Sequence, residues 1–519
     1  MLTSANSLIE TIIDQIDHSR SNILVLFEHN HAAESFIQDL SYFTKSKSIS
    51  QIFFPDYEML SYEFSEINPN ITASRNRALF QMHYHKRWLL ATTPSSLFQP
   101  IPDQGSILRH CLELSVGQDI NIDQLSQQLS LCYKRVTEVK EVGEYAIKGN
   151  LFDIFPNGSQ LPCRVELDDD VVLSMRFFDP IQQRSLRPCG YVSIIPCQEI
   201  ILTAESKKTF IRQWSEHCFP NKHPHRVMVT KNNTSKLQSY IPLFYEKNTY
   251  LTDIISANQC LFVANVSPKH CYDRLYCEYE TQYQAQSVNP LLKPDEILMP
   301  YADFKRTIDG FEQQLACWHH TSQKPIEVNP PNINNPTDIS KWLATIRQQD
   351  QYAVILSHTL YNQTKSLLDT QPLPCHDNYQ SWLDMQPPLS YTKHDFLEPY
   401  WLASKKLSIL TPKCLHYHTP PAKQKQAREH NSYSGSHLID HLNDLQTGQL
   451  LTHQSFGIGR FKGLKPITTG NDVTSEYLVL EYQNNDTVYV PVYNLDAVRL
   501  YTSTAGSDSE LSNLNSKKW

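Results

Sequence analysis

The sequence predicts a multidomain α/β protein: a degenerate, nucleotide-binding-like parallel α/β layer, an antiparallel α+β domain inserted into it, a second small α/β domain, and a small β-barrel at the end. Three observations carry this reading. Short apolar runs alternate with helical patterns over the first hundred residues, short strands separated by turn signals follow to about residue 200, and six of the 14 glycines fall after residue 446. Apolar runs between helices read as parallel strands buried on both faces, and period-two strands broken by turns read as antiparallel sheet.

At 519 residues the chain exceeds what one core supports and divides into several domains. Apolar residues at 40% and aromatics at 11% suffice to build those cores, and charged residues at 19% argue against long disorder. The net charge of -8 speaks against a protein built mainly to grip a phosphate backbone, so weak or no DNA binding by this chain is expected, a local basic patch aside. Twelve cysteines are scattered from Cys111 to Cys414 without a C-x-x-C pair, and the 21 histidines lack metal-ligand spacing. His29/His31 and His416/His418 put two rings on one strand face but have no third ligand, so neither metal nor cofactor is expected. Met1–Ile16 lacks a basic signal-peptide start, and no apolar run approaches the roughly 20 residues of a membrane helix. A soluble, cytoplasmic protein without a membrane partner is expected.

The elements follow in order. Leu8, Ile9, Ile12, Ile13 and Ile16 recur at helical spacing behind a Ser7/Glu10 capping box. Asn22–Phe27, Gln51–Phe54 and Trp88–Ala91 are predicted strands, with helices at about 32–43 and 74–85 between them. The turn after the first strand, Phe27–Ala33, has no glycine to bring backbone close to phosphate and no lysine for its oxygens, and Glu28 repels it. No G-x4-G-K-[ST] occurs, and Asp295-Glu296 after Pro294 reads as a solvated turn. ATP hydrolysis is therefore set aside. Strands at 145–148, 151–155, 163–167 and 171–178, with a Pro156-Asn157-Gly158-Ser159 turn, form the inserted antiparallel unit. Gln259–Ala264 returns to the layer, and Tyr352–Leu356 and Lys406–Leu410 are strands of the second small domain. Val328–Pro336 is a linker by composition, and His416–Ser436 reads as a mobile tether. The last module shows strands at 450–453, 459–464, 476–482 and 487–492, with an Asn484-Asn485-Asp486 turn. The expected domains are 1–112 and 201–325 (the layer), 113–200 (the insertion), 338–415 (the second α/β domain), 416–445 (a linker) and 446–519 (the β module).

Two stretches carry a family resemblance. Gly143-Glu-Tyr-Ala-Ile-Lys-Gly149, Leu151-Phe-Asp-Ile-Phe-Pro-Asn-Gly-Ser159, Leu161-Pro-Cys-Arg-Val-Glu-Leu167 and Arg176-Phe-Phe-Asp179 resemble the UvrB-homology domain of bacterial transcription-repair coupling factors, the Mfd family. Phe456-Gly-Ile-Gly-Arg-Phe-Lys-Gly463, Glu476–Tyr482 and Val488–Val492 are similar to the RNA polymerase interaction domain that family shares with CarD-like regulators, a Tudor-like small barrel. Leu60–Phe64 with Ser74-Arg75 fits the family's first α/β domain. In the family a two-lobed translocase follows this region, whereas this chain ends at Trp519, so no enzymatic activity is expected of it.

The resemblance implies UvrA and the RNA polymerase beta subunit as partners. It points to Lys148, Arg164 and Asp168 as the UvrA-binding residues. Arg164, between alternating apolar neighbours, is expected to face outward, where its fork could take a partner carboxylate. Lys148 stands where the family has Arg and keeps the charge without the fork; Asp168 stands where the family has Phe and withdraws an aromatic anchor. For polymerase, an exposed sheet edge is the expected docking mode, with Tyr477, Leu478, Val479 and Leu480 as contacts. Alternation puts Tyr477 and Val479 on one face and Leu478 and Leu480 on the other, so one pair fills the core. Residues 446–519 hold six Lys/Arg against seven Asp/Glu, which favours a protein partner over DNA. Two alternatives stand beside this adaptor reading: a CarD-like regulator and a relic of a UvrB-like helicase.

Overall fold

The computed structural model describes residues 3–57, 62, 68–234, 236–255, 260–285, 292–311, 313–316, 353–365, 373–402, 404–412, 448–453, 457–469, 473–483, 486–491 and 498–500. It divides into two compact units, Met1–His418 and Thr419–Trp519.

In the first unit, α1 (Thr3–His18) buries Leu8, Ile9, Ile12, Ile13 and Ile16, the stripe its spacing predicts. Then come β1 (Asn22–Leu26), α2 (Asn30–Thr44), β2 (Ser50–Phe54), α3 (Pro69–Tyr84) and β3 (Trp88–Thr92). α3 starts cleanly because the Asn68 side chain accepts from the Asn70 N–H and Pro69 takes the first helical position, where no donor is needed. α4 (Pro94–Phe98) and α5 (Gln104–Arg109) lead to β4 (Leu112–Ser115).

The insertion opens there. After α6 (Ile122–Leu129) it builds a six-stranded sheet of β5 (Lys134–Arg135), β6 (Glu144–Lys148), β7 (Leu151–Ile154), β8 (Cys163–Asp168), β9 (Val171–Phe178) and β10 (Ser185–Pro188). β11 (Tyr191–Ile194) pairs back with β4 and closes the excursion. The chain continues through α7 (Ala204–Glu216), α8 (Pro224–Thr230), a 3-10 helix (Gln238–Phe244), α9 (Leu251–Ile254), β12 (Cys260–Ala264), α10 (Pro268–Ala285), α11 (Pro294–Ile297), α12 (Tyr301–Asp309) and β13 (Gln313–Ala316). The layer sheet has the order β13-β12-β1-β3-β2, parallel throughout, so both sequence halves of the layer complete one sheet around the insertion. Asp295-Glu296 lies in the short helix α11 rather than a solvated turn, because the Glu296 carboxylate accepts from the Lys293 N–H at 2.6 Å and Asp295 accepts from the Tyr276 hydroxyl at 2.9 Å.

The second α/β element comprises β14 (Ala353–Leu356), β15 (Cys375–His376), β16 (Leu389–Thr392), β17 (Tyr400–Leu402) and β18 (Leu407–Leu410), in the order β15-β16-β14-β18-β17. It is no free-standing bead. Tyr379, Trp382, Phe396 and Tyr400 share a buried cluster with Ile9 and Ile13 of α1 and Phe36 and Phe43 of α2. The sheet is parallel except for β17, and the first helices cover the face that carries Ile355, Leu407 and Ile409. At the centre, the buried Asp39 carboxylate accepts from the Leu397 and Glu398 N–H groups at 2.9 and 3.1 Å and from the Tyr400 hydroxyl at 2.7 Å. Burial pushes its pKa up to about 6 against those hydrogen bonds. The expected linker 328–336 and tether 416–436 lie outside the described residues.

In the second unit, β19 (Leu450–His453), β20 (Gly457–Thr469), β21 (Val473–Glu481), β22 (Thr487–Pro491) and β23 (Val498–Leu500) form an antiparallel sheet ordered β22-β21-β20-β19-β23. Among the described residues no pairing joins β22 to β23, so what is described is a sheet rather than a closed barrel. Two glycines have physical reasons. A Cβ at Gly459 would sit 2.9 Å from the Tyr482 ring, and Gly463 (φ +129°) ends the bulge in which Lys462 is left out of register with β21.

Candidate partner-binding surfaces

Besides a shared apolar core, a seam of hydrogen bonds along α3 holds the insertion against the layer. The Thr72 hydroxyl donates to the Cys197 carbonyl (2.8 Å), and the Asn76 amide to the Pro196 and Gln198 carbonyls (3.0 and 2.9 Å). Asn157, from the predicted turn, reaches back with its amide to the Ala73 carbonyl at 2.7 Å. In the middle lies a fully buried ion pair, Arg75 Nε to Glu199 Oε1 at 2.7 Å. Arg75 also donates to the Pro55 carbonyl at 2.7 Å and stacks over the Phe54 and Tyr57 rings at 4.2 and 4.1 Å. The Tyr57 hydroxyl donates to the other Glu199 oxygen at 2.6 Å. Burial by itself would lower the Arg75 pKa, but Glu199, with smaller contributions from Tyr57 and Asp56, outweighs it and the net direction is upward, so the guanidinium stays charged. Arg75 occurred in the sequence only as part of a weak family match. Its place in the apolar stripe with Ala78, Leu79 and Met82 was the legible signal, because a charge there demands a buried partner.

The seam leaves one face of the six-stranded sheet outward. Tyr145, Phe152, Val165 and Met175 point into the main core. The alternate positions form rows on the other face: Ala146, Asp153, Arg164 and Arg176 in one, Lys148, Leu151, Glu166 and Ser174 in the next, with Asp168 opposite Val171 at the sheet end. Strand alternation thus brings Lys148, Arg164 and Asp168 to a single face. Lys148 and Asp168 are exposed beside the tight turns of their hairpins, which the Leu167 N–H to Asn150 carbonyl bond (2.8 Å) ties together. Gly149 (φ +59°) and Asp169 (φ +50°) supply the left-handed residues of those turns.

Arg164 differs from expectation. Its fork is occupied within the chain: Nε and Nη2 donate to the two Asp153 oxygens at 2.8 and 2.9 Å, and the guanidinium lies 4.7 Å above the Phe178 ring. Those hydrogen bonds raise its pKa. Asp153 is almost fully buried and would be left unpaired without it. What this residue offers a partner is the remaining edge of a guanidinium already fixed in place. Asp153 and Arg176, its row neighbours, lie in the stretches that carry the resemblance but were not among the expected binding residues, although the Leu151-Phe-Asp-Ile alternation carries the signal for the first.

In the β module the alternation is resolved. Leu478 and Leu480 are completely buried, packed with Phe461 and Tyr482 in the core, whereas Tyr477 and Val479 are half-buried on the outer face. Leu478 and Leu480 are therefore corrected from contacts to core. β21 is also an interior strand, hydrogen-bonded to β20 and β22, so its backbone is not free to receive a partner strand. The strands at the ends of the sheet are β22 and β23. On the outer face Tyr477 lies opposite Lys465, and Lys462 pairs with Glu481 at 2.9 Å.

The turn after β1 is faced by acids. Asn30, at the start of α2, accepts from the Asp56 N–H at 2.9 Å, the Thr93 hydroxyl donates to an Asp56 oxygen at 2.8 Å, and Glu28 accepts from Arg274 at 3.4 Å. Two carboxylates beside a helix N-terminus are the reverse of what a phosphate requires. Among the described residues no group of three His, Cys, Asp or Glu side chains is placed to hold a metal ion, and no helix is long and apolar enough to cross a membrane.

Comparison with known proteins supplies the context. Residues 112–199 match the UvrB interaction domain family, and residues 445–502 match the CarD-like/TRCF RID domain family. The chain is 26% identical over 491 residues to the transcription-repair-coupling factor of Haemophilus influenzae, a match covering 90% of this chain and 42% of that protein. It is 25% identical over 537 residues to that of Bacillus subtilis, covering 96% and 44%, and 24% identical over 497 residues to that of Escherichia coli, covering 89% and 42%. The chain thus resembles transcription-repair-coupling factors along nearly all of its own length while spanning less than half of theirs.

Proposed function

We propose that this chain, similar from end to end to part of the transcription-repair-coupling factors, is a non-catalytic adaptor of transcription-coupled nucleotide excision repair. Its β module docks on RNA polymerase through the beta subunit, and its inserted domain recruits UvrA. The observation that carries the second half is the common outward face of Lys148, Arg164 and Asp168 within a domain that matches the UvrB interaction family. The first half rests on the RID match and on the outer face of Tyr477 and Val479. The acids around the β1–α2 turn support an adaptor over a nucleotide-driven relic of a UvrB-like helicase.

The test is a pair of pull-downs with the purified chain, one on UvrA and one on the polymerase beta subunit. Lys148→Glu should weaken the first alone, and Val479→Asp the second alone. Tight nucleotide binding, or ATP turnover by the chain, would overturn the assignment. Polymerase binding with no measurable UvrA binding would instead favour the CarD-like regulator.

A further inference from the structure

The net charge of the chain hides a local reversal. Residues 205–236 carry seven Lys/Arg (Lys207, Lys208, Arg212, Lys222, Arg226, Lys231 and Lys236) against two acids, Glu205 and Glu216, in a protein of net charge -8. The fold gathers this segment rather than spreading it. α7 and α8 pack together around Trp214, which is fully buried and touches Phe210, Phe219, His223 and Tyr240. The Lys207 ammonium reaches the Asn232 side chain, which brings the start of α7 to the turn that ends α8. Lys208, next to Lys207, and Lys231, next to Asn232, belong to the two segments so joined, and Lys236 follows a few residues on. Lys222 and Arg226 flank the other end of α8, a seven-residue helix roughly 10 Å long.

Two nearby acids are taken, and Glu205, in the first turn of α7, forms no ion pair among the described residues. Arg212 takes Glu216 at 2.8 Å and Glu246 at 2.6 Å. Among the described residues Lys208, Lys222, Lys231 and Lys236 have no ion-pair partner, and the first three are exposed. Unpaired like charges packed this closely repel one another, a cost without return in the isolated protein. A polyanion relieves it by exchanging the patch's phosphate contacts for released counterions.

We propose that the α7–α8 surface is a docking patch for the phosphate backbone of duplex DNA, sequence-independent because it presents ammonium groups and no base-reading helix. Charge complementarity calls for a polyanion, and duplex DNA fits because ammonium groups contact phosphates without reading bases, an acidic protein being the outcome that the poly-L-glutamate arm detects. The contact is weak and salt-labile, and it fits a chain of acidic net charge. It lies outside both proposed partner surfaces, so it neither needs nor replaces them.

The experiment uses the full chain and a fluorescein-labelled random-sequence 30-base-pair duplex, titrated by anisotropy at about 50 and 200 mM salt. With some four phosphate contacts the slope of log affinity against log salt should be about -3.6, roughly a hundredfold loss over that range. Lys208→Gln/Lys222→Gln/Lys231→Gln/Lys236→Gln should flatten the slope towards zero and cost more than tenfold in affinity at the lower salt, with circular dichroism unchanged and melting no lower than wild type. A control, Lys462→Gln/Lys465→Gln in the β module, should change neither. The proposal is overturned by an unaltered slope in the quadruple variant, by loss of binding in the control instead, by no binding to the wild-type chain at the lower salt, or by retention of poly-L-glutamate in place of the duplex.

Discussion

Replacing Arg75 by Met tests whether the seam on α3 fixes the insertion to the layer. Both members of the Arg75–Glu199 pair are fully buried, so the change leaves a carboxylate in the core with only the Tyr57 hydroxyl to satisfy it. Removing one partner of such a pair costs about 3–5 kcal/mol, and the lost donation to Pro55 belongs to that sum. The damage should be local, because α3 and residues 195–199 meet only along this seam. Hydrogen exchange read by mass spectrometry should show those two segments exchanging roughly 10² to several 10³ times faster, while β19–β21 keep wild-type rates. Arg75→Met/Glu199→Leu removes both charges and should recover at least half of the protection, since an apolar pair of similar volume needs no compensation. If exchange in α3 changes by less than a factor of three, or the double variant is no better than the single, the buried pair is not what holds the domains together.

Three further outcomes follow from the same geometry. Leu478→Arg should unfold the β module, because it drives a charge into a fully buried site, whereas Val479→Ala should leave the fold intact and weaken polymerase binding; circular dichroism beside a pull-down separates them, and a folded Leu478→Arg protein would contradict the core assignment. Asp168→Phe should strengthen UvrA binding by about 1–2 kcal/mol by restoring an aromatic anchor on the exposed end of β8, as calorimetry would show. Arg164→Ala should weaken it but also destabilise the inserted domain by freeing the buried Asp153, so binding must be compared with melting in that variant. The native pKa of Asp39, about 6, lies above its model-peptide value of 3.8, so the folded state binds this proton more tightly and the benefit is complete below pH 3.8 and lost as pH rises through 6. Relative to Asp39→Asn, wild-type stability should therefore fall by up to about 3 kcal/mol between pH 4 and 6.5, followed by urea unfolding at each pH; parallel pH profiles for the two proteins would refute it.

What the sequence determined by itself is what local pattern determines. Asn22–Leu26, Trp88–Thr92 and Cys260–Ala264 are runs so apolar that only a doubly covered parallel strand accommodates them, and the Pro156-Asn157-Gly158-Ser159 run marks the turn between β7 and β8. Strand alternation then places Arg164 and Asp168 on one face of β8, while the pairing through β7 is what brings Lys148 to that same face. The sequence also narrowed β21 to two faces but could not choose between them. Both carry apolar side chains, and only the burial of Leu478 and Leu480 with Phe461 and Tyr482 shows which one is inside. Tertiary structure alone decided the pairings between residues far apart in the chain: Arg75 with Glu199, Arg164 with Asp153, and Asp39 with residues more than 350 positions away. The physical reason is common to all three. A buried charge announces that it needs a partner, but which partner it meets depends on how the elements pack, and residue spacing does not encode that.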